Sequence, residues 1–207
     1  MAIYDMTIRE FTEALRAKTP TPGGGGAAAI TGALGAALVM MATEFTLDNE
    51  KYADEEFVAK SVRAYMSPIY MNLLGMAEQD KQAYEKVAAA LKMPKGTEEE
   101  KAARAEALSN ASYISAKVCF NTMDLCHGGL QEISKAAGHT NPNLDSDLVV
   151  AYNLFVAGFN SALHLMKQNI PSITNEKAVD LFNEKIEVFV EKHAEIVAEI
   201  KEKLEIQ

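Results

Sequence analysis

The feature that most constrains the fold is a run of four glycines, Gly23 to Gly26, that leads directly into a long alanine-rich apolar stretch. From Gly25 to Met41 there are 17 residues without a charged side chain. This is short for a membrane span, and the many small residues favour a buried helix that neighbouring helices approach closely. We therefore expect a core helix from about Gly26 to Asp48, in the middle of a bundle.

The rest of the chain carries helical periodicity, and no long stretch alternates with the period of two that a half-buried strand requires. Capping boxes at Thr7 with Glu10 and at Thr97 with Glu100 predict two helix starts. The first helix is expected to end before Pro20, and the helices beyond the core one cover about residues 54–91, 97–137, 145–169 and 175–205. The pattern predicts a single all-α domain over residues 1–207, a bundle of about six helices around the central Gly/Ala-rich helix.

Local signals refine the ends and continuity of these helices. Pro68 removes a backbone N–H and predicts a kink or break in the third helix. The pair Gly128-Gly129 predicts an interruption of the fourth. Asp145 or Ser146 is expected to cap the fifth helix, because short polar side chains accept hydrogen bonds from the first free N–H groups. The apolar stripe of the last helix is compatible with core packing or with a dimer seam.

The acidic net charge limits the classes of molecule that the protein is expected to bind. The chain carries 29 acidic and 20 basic residues, a formal net charge of −9. Nucleic acids and anionic membranes select cationic surfaces, so we expect neither as a partner. An anionic ligand would need a local basic patch.

The two cysteines predict free thiols. Cys119 and Cys126 stand seven residues apart in one expected helix, which separates them by about 10 Å along its axis. That distance exceeds the reach of a disulfide. Free thiols, and a sequence that does not begin with a signal segment, favour a cytoplasmic location.

The four histidines do not predict a metal site. None of them pairs with a second histidine or a glutamate at the spacing that places two ligands on one helical face. They are His127, His139, His164 and His193. We expect no metal.

The glycine run also indicates a site, since bare N–H groups at a helix start attract anionic or electron-rich groups. A flexible connector explains the run equally well from local sequence. It lacks the lysine and the preceding strand that nucleotide-binding loops require. Taken alone, Asp80 beside Lys81 is typical of a solvated surface, and Ser146-Asp147 is typical of a helix start.

Four blocks in order resemble the cyclodeaminase/cyclohydrolase family of folate enzymes. This family includes the C-terminal domain of formiminotransferase-cyclodeaminase and free-standing methenyltetrahydrofolate cyclohydrolases. The blocks are Pro22 to Gly25 with the alanine-rich stretch, Asp80-x-x-Ala83-Tyr84, Met93-Pro94-Lys95 to Arg104, and Asn141-x-Asn143 with Ser146-Asp147 and Ala151. The resemblance covers about residues 5–200.

The resemblance implies an all-helical, dimer-forming enzyme that acts on a tetrahydrofolate one-carbon derivative, with no metal or redox cofactor beyond that substrate. It implies that Asp80 is the acid/base residue in a cleft near the glycine loop, with Lys81 and Tyr84 as catalytic orienters. The implied substrate-binding residues are Pro22, Gly23, Gly24, Gly25, Gly26, Asn143, Ser146 and Asp147. Lys18 and Lys95, with Arg104, are candidates for the anionic glutamate tail from charge sign alone.

Three functions remain open at this point. Hydrolysis of 5,10-methenyltetrahydrofolate leads, because the chain lacks room for a formiminotransferase domain. Cyclisation of 5-formiminotetrahydrofolate with loss of ammonia is the second. The third is a helical binding or assembly protein without catalysis, and it follows from departures from the family pattern.

These departures concern three places. Gly26 replaces a usual serine. Leu165 begins a stretch in which only Asn169 of the family's asparagine motif survives. Cys119 replaces a proline, which should straighten its helix.

Overall fold

The computed structural model describes residues 2–206, and within that range the chain forms six α-helices, four short 3-10 helices and no β-strand. The α-helices are α1 (Ile8–Leu15), α2 (Gly24–Glu44), α3 (Glu56–Leu91), α4 (Glu98–Ala136), α5 (Asp145–Asn169) and α6 (Glu176–Lys203). The predicted all-α bundle of about six helices is confirmed.

The Gly/Ala-rich helix α2 lies at the centre of the bundle. It packs along α3 and α5 and also contacts α4. Its glycines permit neighbouring helices to approach closely: a Cβ atom added to Gly32 would lie 2.9 Å from the Cys126 Sγ, and one on Gly35 would lie 3.1 Å from the Ala151 carbonyl oxygen.

By length and composition, α2 and the stretch Pro142–Ser172 are apolar enough to cross a membrane. In the folded chain α2 and α5 pack against each other, as core helices do.

Both predicted capping boxes form, at the starts of α1 and α4. The hydroxyls of Thr7 and Thr97 accept the N–H groups of Glu10 and Glu100, and each glutamate side chain accepts the N–H of its threonine.

The start of α5 differs from the expectation. The residue that precedes the helix is Leu144, which makes no side-chain cap. The Asn141 side chain instead accepts the Asn143 N–H and starts a 3-10 turn, Pro142–Leu144, that runs directly into α5. The prediction of a cap at Asp145 or Ser146 was therefore wrong, because an asparagine upstream begins the turn.

Two expected interruptions do not occur in the described helices. Helix α3 continues through Pro68, and the fully buried side chains of Met66 and Leu73 on either side of it hold the helix in the bundle. Helix α4 continues through Gly129. A Cβ atom there would lie 2.3 Å from the Phe155 ring, so this glycine makes room for an aromatic side chain of α5 and does not end a helix.

Helix α6 packs on α4 and α5 through a short set of buried side chains. Among them, the His193 ring stacks on Phe159 with ring centroids 3.6 Å apart and planes 3° apart. Burial and the neighbouring His127 lower the pKa of His193 to about 4, and burial also lowers the pKa of His127. The Nδ1 atoms of both rings are buried without a hydrogen-bond partner among the described residues. With a pKa of about 4, the His193 ring is uncharged in neutral solution, and its stack on Phe159 joins α6 to α5.

We expect the free energy of unfolding to fall as the pH drops below about 6.5, the ordinary histidine pKa. The unfolded chain then binds a proton that the folded chain accepts at His193 only near pH 4. The stability linked to this group is complete above the unfolded pKa and is lost as the pH falls through the folded one. Urea unfolding between about pH 7.5 and pH 5 measures the slope.

The His193→Gln variant should flatten this slope, because glutamine does not titrate. His164→Gln, at an exposed position of α5, is the matched control and should leave the slope as in the unmodified protein. An equal slope in His193→Gln and the unmodified protein would contradict the assignment.

Candidate active site

A pocket of about 320 Å³ opens where four parts of the chain meet. One wall is the glycine loop with the first turn of α2. The helices supply side chains spaced three or four residues apart, which places them on one face of each helix. These are Asp80, Tyr84 and Val87 of α3, Ser115 and Cys119 of α4, and Leu165, Gln168 and Asn169 at the end of α5.

Asp80 lies directly against the first turn of α2. Its Oδ2 accepts the backbone N–H of Gly26 at 3.0 Å. A Cβ atom on Gly25 would lie 2.0 Å from its Oδ1, so the carboxylate occupies space that any other residue at position 25 would fill. The positive end of the α2 dipole also favours a negative charge here. The glycine run and Asp80 thus meet in one cleft, as the resemblance implied.

The environment of Asp80 tunes its acidity. Burial raises the pKa of the Asp80 carboxyl above its ordinary value, and the hydrogen bond from Gly26 opposes part of that rise. A raised pKa makes the carboxylate a stronger proton acceptor at neutral pH. The group is therefore suited to take up and return a proton.

Cys119 provides a neutral wall beside this carboxyl. The thiol is buried and free, and burial together with the charge of Asp80 raises its pKa to about 12. Cys126 is also buried and free, and burial raises its pKa to about 12 as well. The prediction of two free thiols is confirmed, and Cys119 stays protonated in neutral solution.

The predicted catalytic partners of Asp80 take different positions. Tyr84 lines the pocket one helical turn from Asp80. Lys81 does not line it: its Nζ lies 3.4 Å from the Glu78 Oε1, and Glu78 also accepts the Ile3 N–H. Lys81 thus belongs to an ion pair outside the pocket wall.

The glycine-loop residues divide in a similar way. Gly23, Gly24 and Gly25 line the pocket, whereas Gly26 contributes its backbone N–H from a buried position. Pro22 is buried and does not line the pocket.

The other predicted binding residues lie away from this pocket within one chain. Asn143, Ser146 and Asp147 stand at the start of α5, while the pocket contains residues of its end, so the helical rise separates the two places by about 28 Å. Lys18 and Lys95 are exposed and do not line the pocket. The binding roles of these five residues stay predictions.

Eight residues that line the pocket were not among the sequence-based site residues: Pro20, Thr21, Val87, Ser115, Cys119, Leu165, Gln168 and Asn169. Two of them stood out as departures from the family pattern, Cys119 and Leu165, and a third, Asn169, as the surviving asparagine of the family motif. The Asn169 Nδ2 donates to the Leu165 carbonyl oxygen at 2.8 Å, which fixes the amide at the pocket edge. Ser115 and Gln168 carry no sequence signal, because only the docking of α4 and α5 brings them here.

Comparisons with known proteins agree on a family. The sequence model of the formiminotransferase-cyclodeaminase family matches residues 7–188. A methenyltetrahydrofolate cyclohydrolase of Methylorubrum extorquens is 38% identical over 156 residues, which cover 75% of each chain. A formimidoyltransferase-cyclodeaminase of Rattus norvegicus is 28% identical over 191 residues, and the match spans only 33% of that longer relative.

A solved structure has the same fold. The crystal structure of a formiminotetrahydrofolate cyclodeaminase from Thermotoga maritima superposes with a TM-score of 0.87 over 98% of both chains, at 27% sequence identity.

We expect Gly25→Ala to lower the free energy of unfolding by about 1–3 kcal/mol, the usual cost of an extra carbon in a filled space. The new methyl group would meet the Asp80 carboxylate, so one of the two must move. Urea unfolding of the purified variant measures the loss.

Gly75→Ala is the matched control, because a Cβ atom there meets nothing within 4 Å and lies inside α3. It should leave the protein as stable as before or more stable, since alanine favours a helix over glycine. Equal free energies of unfolding for Gly25→Ala and Gly75→Ala would show that the Asp80 carboxylate does not fill the space beside Gly25.

Proposed function

The chain belongs to the formiminotransferase-cyclodeaminase family, and from that premise we propose that it hydrolyses 5,10-methenyltetrahydrofolate to 10-formyltetrahydrofolate. The observation that carries this proposal is the Asp80 carboxylate, held by the Gly26 N–H at the wall of a pocket. The cyclohydrolase relative, which matches three quarters of each chain, favours hydrolysis over the other reaction of the family.

Asp80 acts first as a base. The substrate carries one carbon between two nitrogens, and their shared positive charge makes that carbon open to attack. As the oxygen of water bonds to the carbon, Asp80 takes a proton from the water, and a neutral tetrahedral carbon results. The negative carboxylate also stabilises the cation before the attack.

Asp80 then acts as an acid. The carboxylic acid returns its proton to the pterin-side nitrogen as the bond from carbon to that nitrogen breaks. The hydroxyl on the carbon loses its proton to solvent and becomes the formyl oxygen. The overall reaction consumes one water and releases one proton, and no electrons are exchanged. Since the substrate supplies its own electrophile, we propose that no metal or redox cofactor takes part.

The rest of the pocket positions the substrate. The backbone N–H groups of the glycine loop are suited to hold a carbonyl or ring nitrogen of the pterin. Tyr84, Ser115 and Gln168 place polar side chains around Asp80 and are candidates to orient the attacking water. Val87 and Leu165 add apolar surface, which keeps bulk water away from the carboxyl.

The second candidate is formiminotetrahydrofolate cyclodeaminase, favoured by the structural likeness to the Thermotoga maritima enzyme. In that reaction a nitrogen of the substrate attacks the formimino carbon, and ammonia leaves. The same carboxylate would move the protons. The chain spans about a third of the bifunctional relatives, so their complete activity is not transferred to it. A helical binding protein without catalysis remains the third candidate.

We further propose a cytoplasmic location, in line with the two free thiols. We propose no nucleic-acid or membrane partner, in line with the acidic net charge.

We also propose a homodimer. Several large apolar side chains are exposed on the single chain, among them Leu34, Phe57 and Val150, and burial against a second copy would remove them from water. Light scattering should give about twice the chain mass of 22.5 kDa; a monomer at micromolar concentration would contradict the dimer.

Asp80→Asn should abolish hydrolysis, because the amide cannot accept the proton, while the far-UV circular dichroism and the dimer stay unchanged. The assay follows the loss of methenyl absorbance at a buffered pH against the uncatalysed rate, and ammonia release from the formimino compound in parallel. Asp180→Asn, at an exposed aspartate of α6, is the matched control and should keep full activity.

The two assays separate the candidates. Turnover of the methenyl compound alone supports the cyclohydrolase, and ammonia release supports the cyclodeaminase. Full activity of Asp80→Asn would show that another group is the base. Inactivity of the unmodified protein on both substrates would leave the binding protein.

A further inference from the structure

A second cavity adjoins the Asp80 pocket on the outer side of α2 and α5. It has a volume of about 560 Å³, and we name it the α2–α5 groove; it is lined by Ala27, Ala28 and Thr31 of α2 and Ala157, Asn160, Ser161 and His164 of α5. Gly24 and Leu165 line both the groove and the pocket. The two cavities therefore meet at these two residues.

Leu165 forms a neck at this meeting point. Its two methyl groups lie 3.8 and 3.9 Å from the place of a Cβ atom on Gly24, so the side chain packs across the bare backbone. The side chain of leucine carries only carbon atoms beyond the backbone, so the neck is apolar. A flat apolar group that passes from one cavity to the other would pack on this side chain.

The groove has an unusual lining for so acidic a protein. Small alanines give it apolar surface, and Thr31, Asn160, Ser161 and His164 add polar groups. Among residues 2–206, no aspartate or glutamate lines the groove, although the chain has a net charge of −9. An aryl ring fits such a surface, the polar groups are suited to an amide, and a carboxylate meets no direct repulsion there.

The Asp80 pocket is too small to enclose a complete reduced folate, so part of the ligand must lie in a neighbouring cavity. Ligand pockets usually range from about 300 to 1,000 Å³ and bury most of the ligand, and at about 320 Å³ this pocket stands at the lower limit. A reduced folate is longer than its reacting centre, because an aryl ring and a glutamate follow the pterin. The part beyond the reacting carbon must leave the pocket, and the groove is the cavity that adjoins it at Leu165.

We propose that the α2–α5 groove is a second subsite that binds the aryl–glutamate arm of the substrate, with Gly24 and Leu165 as the neck between this arm and the reacting carbon. The inference rests on the proposed function and extends it. It assigns the arm to the small apolar and polar side chains of the groove, and so departs from the expectation that an anionic group needs a basic patch such as Lys18 or Lys95 would supply.

Ala157→Trp tests the subsite, because position 157 of the single chain is exposed in the groove and an indole there would fill it. Leu34 and Val150 lie on the same faces of α2 and α5, so light scattering must show that the variant has the same mass in solution as the unmodified protein. The KM for methenyltetrahydrofolate should rise at least about tenfold while kcat changes less than about twofold, since the arm contacts are equal in the ground and transition states. Ala194→Trp, at an exposed alanine of α6 that lines neither cavity, is the matched control and should leave both constants unchanged.

A shortened substrate makes the test specific. Methenyltetrahydropteroate lacks the glutamate, so the rise in KM caused by Ala157→Trp should be clearly smaller on this compound than on the complete substrate. A purely structural effect of the tryptophan would raise KM equally on both and would overturn the inference. Ser161→Trp, also exposed in the groove, replaces Ala157→Trp if that variant does not fold.

The outcomes separate the two proposals. If the unmodified protein is active and Ala157→Trp keeps its KM within about twofold, the groove is not a subsite and the proposed function stands. If the unmodified protein turns over neither compound, the proposed function fails and this inference fails with it.

Discussion

The contact between the Asp80 carboxylate and the bare backbone at the start of α2 is the constraint on which the site depends. One oxygen accepts the Gly26 N–H, and the other occupies the space that a side chain at position 25 would need. For this contact, α3 must approach the end of a neighbouring helix within hydrogen-bond distance. The small residues along α2, such as Gly32 and Gly35, allow that approach, because they let the helices around it pack closely. The packing of the core and the geometry of the pocket thus depend on glycines of the same helix, although on different ones.

The surroundings of the Asp80 carboxyl change its pKa in two opposite directions. Burial favours the neutral acid, while the N–H of Gly26 and the end of the α2 dipole favour the charged form. The net result is a pKa above the ordinary value, because the effect of burial is the larger one, and this suits the carboxylate to the proton transfer proposed for it.

Local signals in the sequence predicted much of the fold, and long-range docking explains what they did not predict. The Gly/Ala-rich stretch predicted the central helix, and Thr7 and Thr97 predicted helix starts, because each signal acts within one turn. The breaks that Pro68 and Gly129 led us to expect do not occur, because side chains packed from other helices decide the outcome at these positions. The glycine run indicated a site from local sequence, and the resemblance added Asp80. It did not indicate that Asn143 lies at the opposite end of α5, and no pattern marks Ser115 as a neighbour of Asp80.

The protonated thiol of Cys119 has a practical consequence for chemical probes. A thiol with a pKa of about 12 is almost entirely protonated in neutral solution, and it is the thiolate that reacts with electrophiles and oxidants. Although it lines the cleft, this sulfur behaves as a small apolar surface. A covalent inhibitor would need the thiolate of Cys119, and almost none is present. A tight inhibitor of the cleft therefore has to bind non-covalently, through shape complementarity and hydrogen bonds.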